Sequence, residues 1–283
     1  GHVYSAPSFS PDGRYLAYIR DPGTDLIIRE GFARVVYGAR DPNPKHSGRA
    51  AAILRKRGIR VDSGILEDEC RELNPAFNKW ILTGLPYVLA KAAMSRDGKI
   101  AGQPGRWITG AQARREVHKI RAAVDAILVG INTVLADNPR LTVRLPATKG
   151  APAPQPYRVV LDSKGRIPRD CHLLRDRFRT KTIVATARKF PGPDGKVNLP
   201  QVLKWLGDRG VTSVLIEGGA QTLKSAFQHD LVDEVHFFFS PQRIGSSPGA
   251  VSAHEFFCIA ARKKFSHSVI RDLGPDVHVR SWN

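Results

Sequence analysis

The stretch Val214-Leu-Ile-Glu217-Gly218-Gly219-Ala220-Gln221-Thr222-Leu223 reads as one strand–turn–helix unit. An apolar run ends in an acid, two glycines make the turn, and a helix opens after them. Glycines there let the backbone approach a ligand closely, and the free N–H groups of a helix start attract phosphate. The stretch lacks the Gly-Lys-Ser/Thr of a P-loop and the spacing of a dinucleotide fingerprint, so it does not by itself name a ligand.

Working outward, strands and helices alternate on both sides. Upstream, a strand over Tyr87–Ala93 precedes an amphipathic helix over Ala111–Ala123, a strand over Ala126–Val129 and a helix over Asn132–Ala136. A Pro/Ala-rich loop over Leu145–Pro156 leads to strands over Arg158–Leu161 and Thr182–Ala185, and a helix over Pro200–Asp208. Downstream, a helix over Gln221–Phe227 precedes a strand over Glu234–Phe239. Such alternation predicts an α/β sheet with crossover connections, whose ligands sit beyond the carboxyl ends of the strands.

The N-terminal part is different. Residues 1–23 are rich in turn signals, with a short alternating strand around Tyr15–Tyr18 that resembles one strand pair of a propeller blade. A single such unit cannot bury its own faces. Residues 24–83 read as helix from Thr24 to Arg29, strand over Ala33–Tyr37, basic helix over Gly48–Arg57, strand at Ile59–Val61, and helix over Glu67–Trp80 with Pro75 as an interruption.

Composition is that of a globular chain: 283 residues, 42% hydrophobic and 25% charged. Charge is the exception. Forty-four Lys and Arg against 26 Asp and Glu leave a net +18. This favours polyanionic partners such as nucleic acid, acidic membrane or phosphorylated small molecules. Three scattered cysteines, Cys70, Cys171 and Cys258, form no CxxC pair, so neither a disulfide framework nor a thiolate zinc site is signalled, and a cytoplasmic setting is expected. No run of about 18 apolar residues suggests a membrane span. The single methionine is Met94, so the sequence, which opens on Gly1, is expected to be a piece, a processed form or an expressed fragment.

Two further stretches could carry chemistry. Gly130 opens a second turn between strand and helix, Thr133 and Asp137 share a helix face at i,i+4, and Arg140 and Arg144 follow on an extended segment. The helix before it carries His118 and Arg121 on one face, where an Arg could hold a phosphate by a bidentate contact. From Arg166 to Lys189 lie eight basic residues against two acids, but without the interleaved aromatics of a single-strand platform. No nucleophile elbow and no HExxH motif occur, which leaves hydride chemistry on an external cofactor attractive.

A set of motifs in fixed order carries a family resemblance: Lys91-Ala-Ala-Met-Ser95-Arg-Asp97-Gly98, Trp107-Ile-Thr109-Gly110, Val117-His118-Lys-Ile-Arg121, Thr133-Val-Leu-Ala-Asp137-Asn-Pro-Arg-Leu-Thr-Val-Arg144, Leu161-Asp-Ser163 and Glu217-Gly-Gly219. Together they resemble the reductase domain of the bifunctional riboflavin-biosynthesis deaminase/reductase over residues 84–283. Residues 24–83 resemble the trailing part of that family's cytidine-deaminase-like domain plus a linker. No His-x-Glu precedes them, and Gly23 stands where the second Cys of the zinc cluster would be expected. The resemblance therefore implies a chain without deaminase activity and without zinc, with residues 1–23 unmatched.

It further implies a dihydrofolate-reductase-like mixed sheet with flanking helices, NADPH as cofactor, a homodimer, and reduction of 5-amino-6-(5-phosphoribosylamino)uracil to the ribitylamino product by hydride delivery to ribose C1′. Carried over residue by residue, Met94, Trp107, Thr133, Asp137, Ser163, Gly219, Ala220, Gln221 and Thr222 would meet the cofactor. Gly105, Arg121, Leu141, Arg144 and Glu217 would meet the phosphorylated pyrimidine, with Asp137 and Glu217 as candidates for catalytic work. Lys164, Arg166 and Arg188 are physical candidates for the cofactor's 2′-phosphate. The alternatives are a piece of a longer bifunctional enzyme, and a non-catalytic nucleic-acid-binding protein on the same fold, which the excess charge would suit.

Overall fold

The computed structural model describes residues 8–9, 16–17, 24–46, 48–101, 107–147, 150, 152–246, 251–252 and 254–283. Most of the expected loops and strand within residues 1–23, and the expected substrate residue Gly105, lie outside the described residues. The chain folds as two compact units, Gly1–Leu82 and Thr83–Asn283.

The first unit contains β1 (Ser8–Phe9) paired antiparallel with β2 (Leu16–Ala17). It continues with α1 (Thr24–Arg29), β3 (Arg34–Tyr37), α2 (Arg49–Lys56), β4 (Arg60–Ser63), α3 (Glu67–Glu72) and α4 (Pro75–Thr83). β3 and β4 pair in parallel, with α2 as the crossover. Ile27, Ala51, Leu54, Ile59 and Val61 form their small core. Pro75 does interrupt the helix expected over Glu67–Trp80: it begins α4, because its fixed φ and missing N–H suit a first turn and not a helix interior.

The second unit contains β5 (Tyr87–Ser95), β6 (Lys99–Ala101), α5 (Ala111–Ala122), β7 (Ala126–Gly130), α6 (Ile131–Asp137), β8 (Tyr157–Leu161), α7 (His172–Arg175) and β9 (Thr182–Ala185). Then come α8 (Leu199–Gly207), β10 (Ser213–Glu217), α9 (Ala220–Gln228), β11 (Glu234–Ser240), β12 (Val251–Ser252), α10 (His254–Ala260), β13 (His267–Leu273) and β14 (Asp276–Trp282). Eight strands form one sheet in the order β13-β14-β11-β5-β10-β7-β8-β9. The six from β11 to β9 are parallel, and β14 and β13 are antiparallel additions at one edge. The mixed sheet with flanking helices expected from the sequence is thus what the chain forms. The expectation stopped at Phe239 and omitted the C-terminal hairpin, which turns at Gly274 with φ 73°.

Parallel strands are buried on both faces and so read as near-continuous apolar runs. On one face Val88, Ala90, Leu128, Val214 and Ile216 pack under α8 and α9 through Leu203, Leu206, Leu223 and Ala226. On the other, Ile127, Val129, Leu215 and Phe238 pack under α5 and α6 through Ala113, Val117, Ile120 and Val134. Because side chains alternate, Lys91 of β5 and Glu217 of β10 fall on this second face, at paired register positions. They interrupt the apolar pattern near the carboxyl ends of central strands. No helix of the described residues is long and apolar enough to cross a membrane.

One buried polar network lies further along the same face. Glu234 accepts from Tyr87 Oη–H at 3.2 Å and from Arg280 at 2.6 and 3.2 Å, and His236 Nε2 lies 2.7 Å from its Oε1. His236 Nδ1 meets His278 Nε2 at 3.0 Å, and the His278 ring stacks on Phe238 with centroids 4.4 Å apart. Burial, and then the charges of His236, Arg271 and Arg280, push the His278 imidazole from 6.5 down to about 4 against the opposing pull of Glu116. The unfolded chain then binds a proton near pH 6.5 that the native chain refuses until about pH 4. Stability should therefore fall as pH drops through that window, by at most about 3 kcal/mol. Melting temperatures followed by circular dichroism from pH 7.5 to 4 check this: the decline should be shallower in His278→Gln, and an equal slope in the two proteins would refute the assignment.

Candidate active site

The site begins with two glycine turns at the carboxyl ends of neighbouring strands. Gly130 leads from β7 into α6, and Gly218-Gly219 lead from β10 into α9. Gly218 and Gly219 hold φ of 75° and 76°, a region closed to most side chains. A Cβ on Gly130 would stand 2.6 Å from Thr222 Oγ1, and one on Gly219 would stand 3.3 Å from Thr133 Oγ1. The two turns therefore touch through Thr133 and Thr222, and neither would tolerate a larger residue without moving the other. The N-cap of α9 is Gly219, which has no side chain to cap the helix start, so among the described residues no side-chain cap takes up its first N–H groups.

The other expected cofactor residues lie on several different elements. Ala220 is half-buried, Gln221 exposed and Thr222 buried in the first turn of α9. Asp137 ends α6, one turn beyond Thr133, and partial desolvation raises its exposed carboxyl. Ser163 Oγ, after β8, accepts from Val197 N–H at 3.1 Å. Trp107 is 63% exposed, with the Arg114 guanidinium over its ring at 5.2 Å. Met94 falls at an alternate position to Lys91, on the opposite face of β5. Lys164 and Arg188 are exposed, while Arg166 donates to Asn132 Oδ1 at 2.9 Å.

The charged half of the site is built more tightly. Arg121, on the last turn of α5, donates from Nε and Nη2 to the two oxygens of Glu217, both at 2.6 Å. Its Nη1 donates to Thr142 O at 3.2 Å. The pair joins residues far apart in the chain, and the two side chains are 13% and 8% exposed. Burial would raise the Glu217 carboxyl, but Arg121 and Lys91 outweigh it and hold the group ionised, below the ordinary carboxylate range. Lys91 has the converse position. Burial and the neighbouring Arg121 push its ammonium below the ordinary lysine range, against the pull of Glu217. Its Nζ also stands 5.9 Å from the Phe238 ring centroid.

Beyond this cluster the segment after α6 supplies Leu141, Thr142 and Arg144. Leu141 is buried, whereas Arg144 is exposed. Among the described residues the Arg144 guanidinium has no hydrogen-bond or ion-pair partner; partial burial, Arg121 and Arg140 all disfavour its charge. His118 Nδ1 accepts from Arg144 N–H at 3.3 Å. Burial and the cations Arg121 and Arg144 lower His118 to about 4, so it is a neutral acceptor at neutral pH. Arg121 and Arg140 lie near enough to Arg144 to disfavour its charge, so an anion there would relieve their mutual repulsion.

Among the expected residues, the fold joins Arg121, Glu217 and the Leu141–Arg144 segment in one place and Thr133, Gly219 and Thr222 in another. Lys91 and His118 lie inside the family motifs, and the resemblance implies no role for either. A lysine inside an apolar central strand was the available signal for Lys91. In the basic stretch from Arg166 to Lys189 every Lys and Arg but Lys181 is exposed; Lys181 donates to Gln155 O, Arg177 lies over Phe178 and Lys189 lies over Trp205. Among the described residues no three His, Cys, Asp or Glu side chains converge as metal ligands would.

A mixed sheet with glycine turns and a buried Arg–Glu pair at its carboxyl end defines a ligand-binding α/β protein. The chain belongs to the RibD C-terminal domain family, which matches residues 86–279. It is 40% identical over 243 residues to the riboflavin biosynthesis protein RibD of Actinobacillus pleuropneumoniae, covering 79% of this chain and 63% of that one. It is 36% identical to RibD of Bacillus amyloliquefaciens over 276 residues, 90% of this chain and 73% of that one. The chain thus spans roughly two thirds to three quarters of these relatives. Among solved structures, Acinetobacter baumannii RibD superposes with TM-score 0.77 at 31% identity, over 92% of this chain and 75% of that one. A Thermotoga maritima protein described as a diaminohydroxyphosphoribosylaminopyrimidine deaminase/5-amino-6-(5-phosphoribosylamino)uracil reductase superposes with TM-score 0.75 at 32% identity, over 92% and 74%.

Proposed function

We propose that the Thr83–Asn283 unit reduces the ribosyl group of 5-amino-6-(5-phosphoribosylamino)uracil to ribityl, with NADPH as reductant. The observation that carries this reading is the placement of the Lys91–Arg121–Glu217 cluster beside the glycine cradle, on the same carboxyl ends of β5, β7 and β10. Family membership and the Thermotoga relative's described activity support the substrate. The cradle supports the cofactor, since a Cβ on Gly219 would crowd Thr133 where a diphosphate must come close to backbone N–H groups. When bound, NADPH supplies the hydride.

The chain's own residues do the rest. The α9 start and Thr133 hold the diphosphate, and Ser163 and Trp107 flank it. Arg144 takes the substrate's phosphate by a charge-assisted contact. Glu217, fixed by Arg121, accepts from ribose hydroxyls and orients C1′. Lys91 gives its proton to the ribosylamine nitrogen as C1′ is reduced, so the C1′–N imine gains one hydride and one proton, and solvent returns the proton to Lys91. The same reading treats residues 24–83, with their parallel β3–α2–β4 unit, as the trailing part of a deaminase-like domain, and the assembly as a homodimer.

Purified chain, NADPH and deaminated substrate test it through loss of reduced-cofactor absorbance. Turnover is expected; a folded chain that neither oxidises nor binds NADPH overturns it. Arg144→Ala should raise the KM for the phosphorylated substrate about 10- to 100-fold, the worth of one hydrogen bond between charged groups. The KM for NADPH should stay within about twofold. An unchanged substrate KM would remove Arg144 from the phosphate site.

A further inference from the structure

The segment that carries Arg144 is held in an unusual way. Residues 138–147 form neither helix nor strand, yet the backbone from Arg140 to Arg144 is taken up by side chains from α5, from β8 and from the loop before β8. Arg158 of β8, which is 1% exposed, donates from Nη1 to Arg140 O at 3.1 Å. That guanidinium is itself fixed by Asp176 at 2.6 and 2.9 Å and by Leu173 O and Thr182 Oγ1. Arg121 donates to Thr142 O, and His118 accepts from Arg144 N–H. Gln155, just before β8, takes both backbone groups of one residue: its Oε1 accepts from Val143 N–H at 2.9 Å and its Nε2 donates to Val143 O at 3.0 Å.

That double bond pattern is what a strand neighbour gives to a residue in a hydrogen-bonded antiparallel pair. Here a single side-chain amide supplies it, and so keeps an isolated segment extended without a sheet. The need is visible next door. Leu141 is buried and sits at φ 50°, a left-handed conformation that a non-glycine residue keeps only when its surroundings over-determine it. Gln155 and Arg158 bracket that residue from both sides.

We propose that Gln155 is a positioning residue for the phosphate site: by clamping Val143 it holds the next residue, Arg144, where the substrate's phosphate arrives. This rests on the reading of Arg144 given under Proposed function. Gln155 touches neither substrate nor cofactor, and acts through the backbone alone. Arg158 is the rigid wall behind the same segment, but its removal would leave Asp176 without its buried partner, so it is the poorer probe.

The test is a double-mutant cycle read by calorimetry with ribose 5-phosphate as ligand. Gln155→Met keeps the side-chain length and removes both hydrogen bonds. It should weaken ribose 5-phosphate about tenfold, leave NADPH affinity unchanged, and speed exchange of the Val143 amide hydrogen. In an Arg144→Ala background the same change should add nothing further, because the residue it positions is gone. A full tenfold effect in that background, or no effect in the parent, overturns the inference while the phosphate reading stands. If Arg144→Ala alone leaves ribose 5-phosphate binding intact, the phosphate reading falls and the inference falls with it. Gln155→Asn, whose amide is too short to reach both atoms, serves in place of Gln155→Met should that variant not fold, with the same outcomes deciding.

Discussion

Glu217→Gln is expected to lower kcat/KM about a thousandfold and to cost the fold about 2–4 kcal/mol at the same time. The two losses share one cause. Glu217 accepts two short bonds from Arg121, and both side chains are largely buried. A glutamine can keep one acceptor but turns an N–H₂ group towards the guanidinium. The Arg121 charge then stays buried without compensation, which is dearer than the pair was ever worth. Catalysis suffers because a neutral amide no longer offers two acceptors to ribose hydroxyls, and because Lys91 loses the anion that favours its charged form. Steady-state kinetics with a thermal melt of the same preparation check both parts. Glu217→Asp, which keeps the charge and shortens the reach, should recover most of the melting temperature and little of the activity. A Glu217→Gln protein with native kcat/KM would remove Glu217 from the chemistry, whatever its melting temperature.

The contrast between the two halves of the site explains what sequence could show. The glycine turns were readable because their cause is local: an apolar strand must end, the chain must turn, and only glycine holds the φ of 75° and 76° found there. Arg121, Arg144 and Glu217 were readable as candidates through the family motifs, but not as a pair, since the residues that bond lie 96 positions apart. Gln155 had no readable signal at all, because an ordinary polar residue in a Pro-rich loop acquires its meaning from the backbone it happens to face. The C-terminal hairpin was missed for the opposite reason. Every residue of β13 except Leu273 is exposed, so the period-two alternation that marks a half-buried strand is absent. Only the pairing with β14 makes it a strand. Of the charge of +18, only a few cations have a local cause that the fold makes visible. Arg121 is paired with Glu217, Arg158 is buried against Asp176, and Arg177 and Lys189 lie over aromatic rings.

Lys91 is the residue on which fold and chemistry disagree, and that makes it the sharpest test of the reading. Its neighbours on β5 are apolar, its paired residue on β10 is Glu217, and its ammonium is pushed down by burial and by Arg121. A cation so placed costs the folded state, so Lys91→Met should leave the melting temperature unchanged or raise it, as volume-conserving replacement of desolvated charge often does. Activity should move the other way. Loss of a positioned proton donor removes about 10²–10⁴-fold of kcat, and substrate KM should change little if Arg144 carries the phosphate. The pH profile separates a donor from a mere structural cation. In the parent protein kcat/KM should fall on the alkaline side, through an ionisation below the ordinary lysine range, because the ammonium is the active form. That limb should vanish in Lys91→Met, leaving a low and flat profile. A variant that keeps the limb would show that some other group gives the proton. A variant that keeps full kcat would show that burying the ammonium in this strand has no catalytic purpose.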